Sequence, residues 1–297
     1  MTGSVFKLKL VALFGLFAFA ACAPKGSSIT GNAARVVSIG GSVTETVYAL
    51  GAGDRLVGVD TSSLYPEEAR RLPQVGYMRQ LSAEGVLSLR PTLVLLTADA
   101  GPPAAIEQIR SAGVALVIIP SEHSVEGVKA KIRAVARVLA LEERGEELVR
   151  SFERDLVETQ RIVAEQKGRP RVLALIARGP NAMNVAGTGT APDEMIELAG
   201  GINAVSDVEG YKPLSPESAI AAAPDVILVP SRGLQSMGGI EALLRTPGLA
   251  MTPAGRANRV VALDDLLLLG FGPRTGAAVR ELCWKIHQPY PEAGKEQ

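Results

Sequence analysis

The chain has few of the side chains on which metal clusters and disulfide frameworks depend. Its 297 residues include two cysteines and two histidines, and only 4% of them are aromatic. These numbers exclude Cys/His zinc clusters and a dense disulfide framework. An excess of positive charge is also absent, because 31 lysines and arginines balance 31 acidic residues. We therefore expect no nucleic-acid partner, since no basic surplus is available to neutralise phosphates.

Hydrophobic residues, by contrast, are plentiful. They make up 47% of the chain, while 21% of the residues are charged. Such a chain can bury a sizeable core and is not disordered. Its length suits about two domains of roughly 150 residues each.

The first 22 residues have the pattern of a secretory signal. Lys7 and Lys9 precede an apolar run over residues 10–21, which ends in small residues before Cys22. The run is shorter than the roughly 20 apolar residues of a membrane span, although an uncleaved anchor stays open as an alternative. We predict that residues 1–22 are a signal peptide, that residues 23–33 are a polar tether, and that the mature protein is periplasmic.

Two interpretations of Cys22 stay open. Residues 19–22 resemble a bacterial lipobox, in which the cysteine is lipidated, but Phe19 stands where that motif usually has leucine. Residues 18–20 also fit an ordinary signal-peptidase site, which would release a soluble protein. Either cleavage removes two lysines and leaves 29 basic against 31 acidic residues, a net charge of −2. Export also excludes chemistry driven by cytosolic ATP or NAD.

Beyond the tether, short β-branched runs alternate with helical patterns, which is typical of parallel α/β units. The predicted helices include 44–50, 104–112 and 192–199. The predicted strands are 35–39, 56–59, 93–97, 115–120, 171–177, 225–230 and 259–263. The pattern predicts an α/β fold of two Rossmann-like lobes, whose parallel sheets are joined by one long rigid helix.

Residues 124–166 interrupt this alternation. They contain no proline, two glycines and dense Glu, Arg, Lys, Leu, Val and Ala, which predicts one or two long helices with a break near 139–143. A helix of about 24 residues spans roughly 36 Å, long enough to tie two lobes together. The predicted division is 34–123 for the N-terminal lobe, 124–167 for the linking helix and 168–297 for the C-terminal lobe.

An internal repeat supports two related lobes. Residues 81–95 align without gaps to residues 214–228, with identical Leu, Ser, Glu, Pro and final Leu. Each copy predicts an N-cap serine, a helix, a proline stop and a buried strand. Ligands of two-lobed proteins sit in the cleft between the lobes.

Glu84 and Glu217 occupy the same place in the two copies, two residues after Ser82 and Ser215. One interpretation is local, because an acid in a first helical turn complements the helix dipole by about 0.3–1 kcal/mol. The other is functional, with one exposed carboxylate on each lobe docking onto arginines of a partner. The residues alone do not separate these two interpretations.

This layout resembles the periplasmic solute-binding proteins of ABC importers whose lobes are joined by one rigid helix, a class that serves vitamin B12, siderophores, haem and some metals. The resemblance covers about residues 34–287. It implies that Glu84 and Glu217 engage arginines of an inner-membrane permease, which works with its ATPase. It also implies a monomer that contacts the membrane only through the permease or a lipid anchor.

Residues 76–81, Gly-Tyr-Met-Arg-Gln-Leu, resemble the haem-binding branch of this class, as do residues 210–215 and 269–275. In that branch the tyrosine of the GYMR segment supplies the axial iron ligand, which implies that Tyr77 binds the iron of a transported haem b. The chemistry agrees, because ferric iron takes a hard phenolate donor and tyrosine is a known haem ligand. Taken alone, Tyr77 would be interpreted as a half-buried loop aromatic.

Three further residues are expected to support the haem. Arg79, or an arginine from the opposite lobe, could hydrogen-bond the phenolate or pair with a propionate. The family places an arginine near Arg232, which we therefore rank first as the partner of Tyr77. Met78 is expected to pack against the porphyrin face rather than bind ferric iron.

The two histidines are expected to be bystanders. His123 lies where the last strand of the N-terminal lobe meets the linking helix, and His287 lies near the C-terminus. We therefore predict single-tyrosine ligation of one haem, with stacked haems left open.

The sequence also bears on functions other than haem delivery. No G-x-S-x-G, H-E-x-x-H, C-x-x-C or Walker motif occurs, so we predict a binding protein and not an enzyme. A cleft hydrolase would have to recruit His123. Cobalamin or a ferric siderophore is the main alternative ligand, a surface haem scavenger without a permease is a third, and free Zn²⁺ or Mn²⁺ is disfavoured by the histidine count.

Overall fold

Aliphatic and β-branched runs form most strands of two large sheets, a short hairpin forms a third, and amphipathic segments between them form the helices. The computed structural model describes residues 34–177 and 183–288. The predicted signal peptide, the tether and Cys22 lie outside the described residues. The strands are β1 Val36–Ile39, β2 Leu56–Val59, β3 Gly76–Tyr77, β4 Gln80–Leu81, β5 Leu93–Thr97, β6 Ala115–Ile119, β7 Arg171–Ala177, β8 Met183–Ala186, β9 Ile202–Asn203, β10 Tyr211–Pro213, β11 Val226–Pro230 and β12 Val260–Leu263.

The helices cover the faces of these sheets and connect their strands. They are α1 Gly41–Ala49, α2 Ala83–Ser88, α3 Pro103–Ser111, α4 Val125–Val138, α5 Glu142–Ala164, α6 Ala191–Leu198, α7 Pro216–Ala222, α8 Ser231–Ser236, α9 Ile240–Leu244, α10 Pro253–Arg256, α11 Asp265–Leu269 and α12 Thr275–His287. None of the helices in the described part of the chain could span a bilayer.

The first sheet has the strand order β2-β1-β5-β6, with every pairing parallel. Strand β5 is buried along its whole length, as expected of a strand covered on both faces. This sheet, together with α1–α3 and the hairpin β3–β4, is called the N-terminal lobe below.

The second sheet has the order β10-β8-β7-β11-β12, with β9 beside the start of β7. Its β7, β9, β11 and β12 pair in parallel, whereas β8 and β10 add an antiparallel edge. This sheet with α6–α12 is called the C-terminal lobe. The antiparallel edge is absent from the predicted strands, because β8 and β10 are short and carry polar residues.

Two helices, α4 and α5, carry the chain from one lobe to the other. They run antiparallel, since Lys129 pairs with Glu153 and Arg133 with Glu146. The chain between them breaks within the predicted interval 139–143, and α5 has 23 residues. The crossing is therefore a helical hairpin, and α5 is its long member.

Helix α4 lies in the cores of both lobes. Val128 and Ile132 in its first half pack into the core of the C-terminal lobe. Val135 and Ala136 in its second half pack into the core of the N-terminal lobe. The apolar face of this one helix thus holds the two lobes side by side.

The repeat predicted from the sequence has the same structure in both lobes. Ser82 accepts a hydrogen bond from the Gly85 N–H at the start of α2, and Ser215 accepts one from the Ser218 N–H at the start of α7. Each helix is followed by a central strand, β5 in one sheet and β11 in the other. At α7 the Ser218 hydroxyl completes a capping box.

Candidate ligand-binding cleft

A cleft of about 680 Å³ lies between the lobes. The carboxyl ends of parallel strands from both sheets point towards it, which is the usual location of ligand sites in such sheets. From the N-terminal lobe it receives the residues that follow β1, β2, β5 and β6, and from the C-terminal lobe those that follow β11 and β12. Its volume falls within the roughly 300–1,000 Å³ of small-molecule sites.

The GYMR segment forms the tip of the hairpin β3–β4 on the N-terminal wall. Gly76 has a φ angle of 101°, and a Cβ atom there would lie 2.8 Å from the Gln80 carbonyl oxygen, so the turn requires glycine. The Gly101 N–H donates to the Met78 carbonyl at 2.9 Å, and Gly101 accepts from the Leu81 N–H at 2.9 Å. These bonds hold the hairpin against the loop after β5.

Tyr77 extends from this hairpin into the cleft with two charged neighbours. Arg79 donates one hydrogen bond to the Tyr77 hydroxyl at 2.9 Å and another to Asp99 at 2.7 Å. Partial burial acts to lower the pKa of Arg79, but Tyr77 and Asp99 outweigh this effect and raise that pKa. The guanidinium is therefore a permanent cation beside the phenol.

Arg232 lines the opposite wall, at the start of α8. Its backbone N–H donates to Asp265 at 3.0 Å, and burial raises the pKa of that carboxyl. In this structure the Tyr77 hydroxyl accepts from Arg79, which lies in the turn of the same hairpin, and within the described residues no hydrogen bond joins it to the Arg232 side chain. Arg232 instead presents a second cation across the cleft.

The floor of the cleft contains a lysine that the sequence analysis missed. Lys131 is 1% exposed and its ammonium group donates to the Ser42 hydroxyl and to the carbonyl oxygens of Gly270 and Phe271, at 2.9, 3.1 and 2.7 Å. Burial lowers its pKa to about 8, against the opposing charge of Glu45. Its place on the apolar stripe of α4 was a signal that could have identified it.

A second polar contact joins the lobes beside this lysine. Glu45 of α1, whose side chain is 4% exposed, pairs with the Arg274 guanidinium at 2.9 Å and accepts from the Arg274 N–H at 3.1 Å. The same guanidinium lies 3.5 Å over the Tyr65 ring. Both contacts join α1 and the loop after β2 in the N-terminal lobe to Arg274 in the C-terminal lobe.

Met78 and His123 also line the cleft, whereas His287 does not. Met78 accepts a weak bond from the Ser62 hydroxyl to its sulfur at 3.9 Å, and the His123 ring packs against Phe271. Burial, and then the Lys131 cation, lower the pKa of His123. His287 contacts the Cys283 carbonyl at the end of α12.

In the described part of the chain no three His, Cys, Asp or Glu side chains are grouped to hold a metal ion.

Glu84 and Glu217 are exposed in the first turns of α2 and α7, one on each lobe. Within the described ranges neither carboxylate has an ion-pair partner. The capping bonds at both helices come from serine hydroxyls, so the fold does not use these carboxylates as caps.

The fold and the cleft are those of a two-lobed solute-binding protein, and a family comparison agrees. Residues 36–267 match the model of the periplasmic binding protein family, and the chain belongs to this family. Two solved structures are similar along nearly their whole length. The periplasmic haem-binding protein RhuT from Roseiflexus sp. RS-1 is 49% identical, with a TM-score of 0.84 and coverage of 86% of this chain and 98% of that one. The periplasmic haem-binding protein BhuT, solved with two haems, is 48% identical, with a TM-score of 0.81 and the same coverage.

Relatives found by sequence include an uncharacterised lipoprotein and a vitamin B12-binding protein. The uncharacterised ABC transporter substrate-binding lipoprotein YvrC of Bacillus subtilis (strain 168) is 29% identical over 265 residues, 88% of this chain and 82% of its own. A vitamin B12-binding protein of Yersinia pestis (strain Pestoides F) is 26% identical over 255 residues, 86% of each chain.

These findings define the class of the protein. It is an exported periplasmic binding protein of the haem, vitamin B12 and siderophore class. Its homologues are solute-binding proteins rather than enzymes. Members of the class work with ABC permeases and their ATPases.

Proposed function

We propose that the protein binds one ferric haem in the interlobe cleft, with Tyr77 as the axial iron ligand, and delivers it to an ABC permease in the inner membrane. The observation that carries this proposal is the Tyr77 hydroxyl, which faces the cleft with a hydrogen bond from Arg79. The haem-binding proteins RhuT and BhuT, at 49% and 48% identity, support haem as the ligand.

The chemistry of the cleft suits such a ligand. A phenolate is an anionic oxygen donor that ferric iron accepts in place of the phenol proton. Apolar side chains from both lobes, among them Leu64, Leu266 and Leu269, line the space beside Tyr77 and can cover a porphyrin. Arg79 and Arg232 supply cations on opposite walls for the phenolate and the propionates. Haem here is cargo, and the protein performs no chemistry on it.

The first test is a hemin titration of the purified protein and its Tyr77→Phe variant. We expect the wild type to develop the absorption spectrum of a ferric tyrosinate haem. The variant keeps the aromatic ring but lacks the oxygen, so we expect no tyrosinate band. We also expect an affinity lower by on the order of 100-fold, since loss of mere outer-shell partners already costs about 10–100-fold.

Tyr48→Phe is the matched control, because Tyr48 packs against the core of the N-terminal lobe and does not line the cleft. It should bind hemin like the wild type. Equal spectra for the wild type and Tyr77→Phe would refute the ligand assignment. Tighter binding of cobalamin than of hemin would move the protein to the vitamin B12 branch of its class.

Delivery to a permease is tested by charge reversal at Glu84 and Glu217. We expect the double variant Glu84→Arg/Glu217→Arg to bind hemin normally. Haem uptake in cells that depend on this importer should fall by roughly tenfold or more, because like charges facing each other at an interface cost several kcal/mol. The matched control reverses two other exposed glutamates, Glu68 and Glu197, again one on each lobe. Normal uptake by the Glu84/Glu217 variant, with normal hemin binding, would refute the docking role of these two glutamates.

A further inference from the structure

We propose that Asp99 is a positioning residue for the iron ligand: it holds Arg79 so that the guanidinium donates to the oxygen of Tyr77. The inference rests on the proposed role of Tyr77 in haem binding. It extends the ligand pair to a chain of three residues, Tyr77–Arg79–Asp99, joined by hydrogen bonds of 2.9 and 2.7 Å.

The loop that carries Asp99 is fixed relative to the hairpin that carries Tyr77. Asp99 follows β5 in a turn closed by the Ala100 N–H donating to the Thr97 carbonyl at 3.0 Å. Two residues later, Gly101 bonds the hairpin through both its N–H and its carbonyl. Asp99 and Tyr77 are therefore held by one hydrogen-bonded unit, and Arg79 spans the gap between them.

Arg79 needs such an anchor because its side chain is exposed. The exposed fractions are 48% for the Arg79 side chain and 55% for Asp99, so packing alone does not hold the guanidinium in one orientation. The guanidinium is planar and its two terminal nitrogens are rigidly related. When Asp99 accepts from Nη2, the other nitrogen, Nη1, is directed at the Tyr77 hydroxyl.

The effect on the ligand follows from this orientation. A hydrogen bond donated to a phenolate stabilises the anion against its protonated form. The bond from Arg79 therefore tunes how strongly the Tyr77 oxygen binds iron, as outer-shell hydrogen bonds to a metal ligand do.

Stability alone would not reveal this role, because exposed ion pairs add little to it. The experiment therefore compares wild type, Asp99→Asn, Arg79→Gln and the double variant as ferric haem complexes. We expect the Asp99→Asn protein to bind hemin about tenfold more weakly than the wild type, the lower end of the effect of outer-shell residues. The charge-transfer band should also shift in energy.

The double variant tests whether Asp99 acts through Arg79. If it does, Asp99→Asn/Arg79→Gln behaves like Arg79→Gln alone. Additive shifts, or an Asp99→Asn complex identical to the wild type, would overturn the proposal. Glu107→Gln is the matched control, because it also removes a carboxylate from an exposed arginine pair of the same lobe, that with Arg110, and it should leave the haem spectrum unchanged.

A measurement without hemin separates this inference from the proposed function. Nitrogen NMR of the Arg79 guanidinium should show two distinct Nη signals in the wild type and one averaged signal in Asp99→Asn. Averaged signals in both proteins would overturn the positioning role. A wild-type complex that lacks a tyrosinate band contradicts the proposed function instead, and the Arg79 signals then decide by themselves whether Asp99 orders this side chain.

Discussion

Replacing Glu45 by alanine is expected to lower the free energy of unfolding by about 3 kcal/mol. This value is the lower end of the range found when one partner of a buried ion pair is removed. The loss leaves the Arg274 guanidinium without its carboxylate in a site where the glutamate side chain is 4% exposed. It also removes the acceptor of the Arg274 N–H at the start of α12. Because Arg274 itself is 28% exposed, water recovers part of the cost. Urea unfolding followed by circular dichroism measures the change.

The companion variants distinguish the charge from the packing. Glu45→Gln keeps an acceptor for the N–H but loses the charge, so its destabilisation should be smaller than that of Glu45→Ala. The double variant Glu45→Met/Arg274→Met removes both charges and should regain most of the stability, because apolar replacements of a buried pair are often neutral or stabilising. A Glu45→Ala protein within about 0.5 kcal/mol of the wild type, the range of ordinary surface substitutions, would show that the pair adds nothing to the lobe contact.

Lys131→Met is the second substitution with a large expected effect. It removes the ammonium group that satisfies the carbonyl oxygens of Gly270 and Phe271. Each buried acceptor left without a partner costs about 1–3 kcal/mol, so we expect a loss of roughly 3 kcal/mol. The substitution also removes a buried cation, so the desolvation cost that is no longer paid offsets part of the expected loss of stability. Lys129→Met is the matched control, since Lys129 lies on the same helix but pairs with two glutamates that have exposed side chains, Glu126 and Glu153.

The pH dependence of the free energy of unfolding is a second, independent test of the buried Lys131. Its pKa is about 8 in the folded protein, below the ordinary value of 10.5. Between these values the unfolded chain binds the proton and the folded chain does not, so the contribution of Lys131 to the free energy of unfolding rises with pH. Below about pH 8 both states bind the proton, and the buried cation costs the folded state its full penalty. Unfolding curves from pH 7 to 10.5 should show this rise in the wild type and in Lys129→Met, and lack it in Lys131→Met.

Local patterns in the sequence predicted most of the fold. The runs 56–59, 93–97 and 171–177 are strands with the predicted bounds, because β-branched residues between turn signals have few other stable conformations. The repeat predicted equivalent helices with serine caps, and both are present. The helical crossing and its break followed from a long segment without proline.

Contacts between residues distant in the sequence were harder to predict. The pairing of Glu45 with Arg274 joins residues 229 positions apart, and no local pattern indicates that these two residues meet. The family resemblance ranks Arg232 first as the partner of Tyr77, and the sequence does not show that the hairpin turns Arg79 back onto the tyrosine. Asp99 was overlooked for the same reason, since only the folded loop after β5 brings it to Arg79.

The position of α4 has a consequence for how the protein unfolds. Its first half completes one hydrophobic core and its second half completes the other, so neither lobe has a full core without it. Opening either lobe exposes part of the apolar face of α4 to water, and the other lobe needs the same helix to complete its core. The two lobes therefore form a single cooperative unit, and a fragment that ends before α4 contains an incomplete domain despite holding every strand of the first sheet.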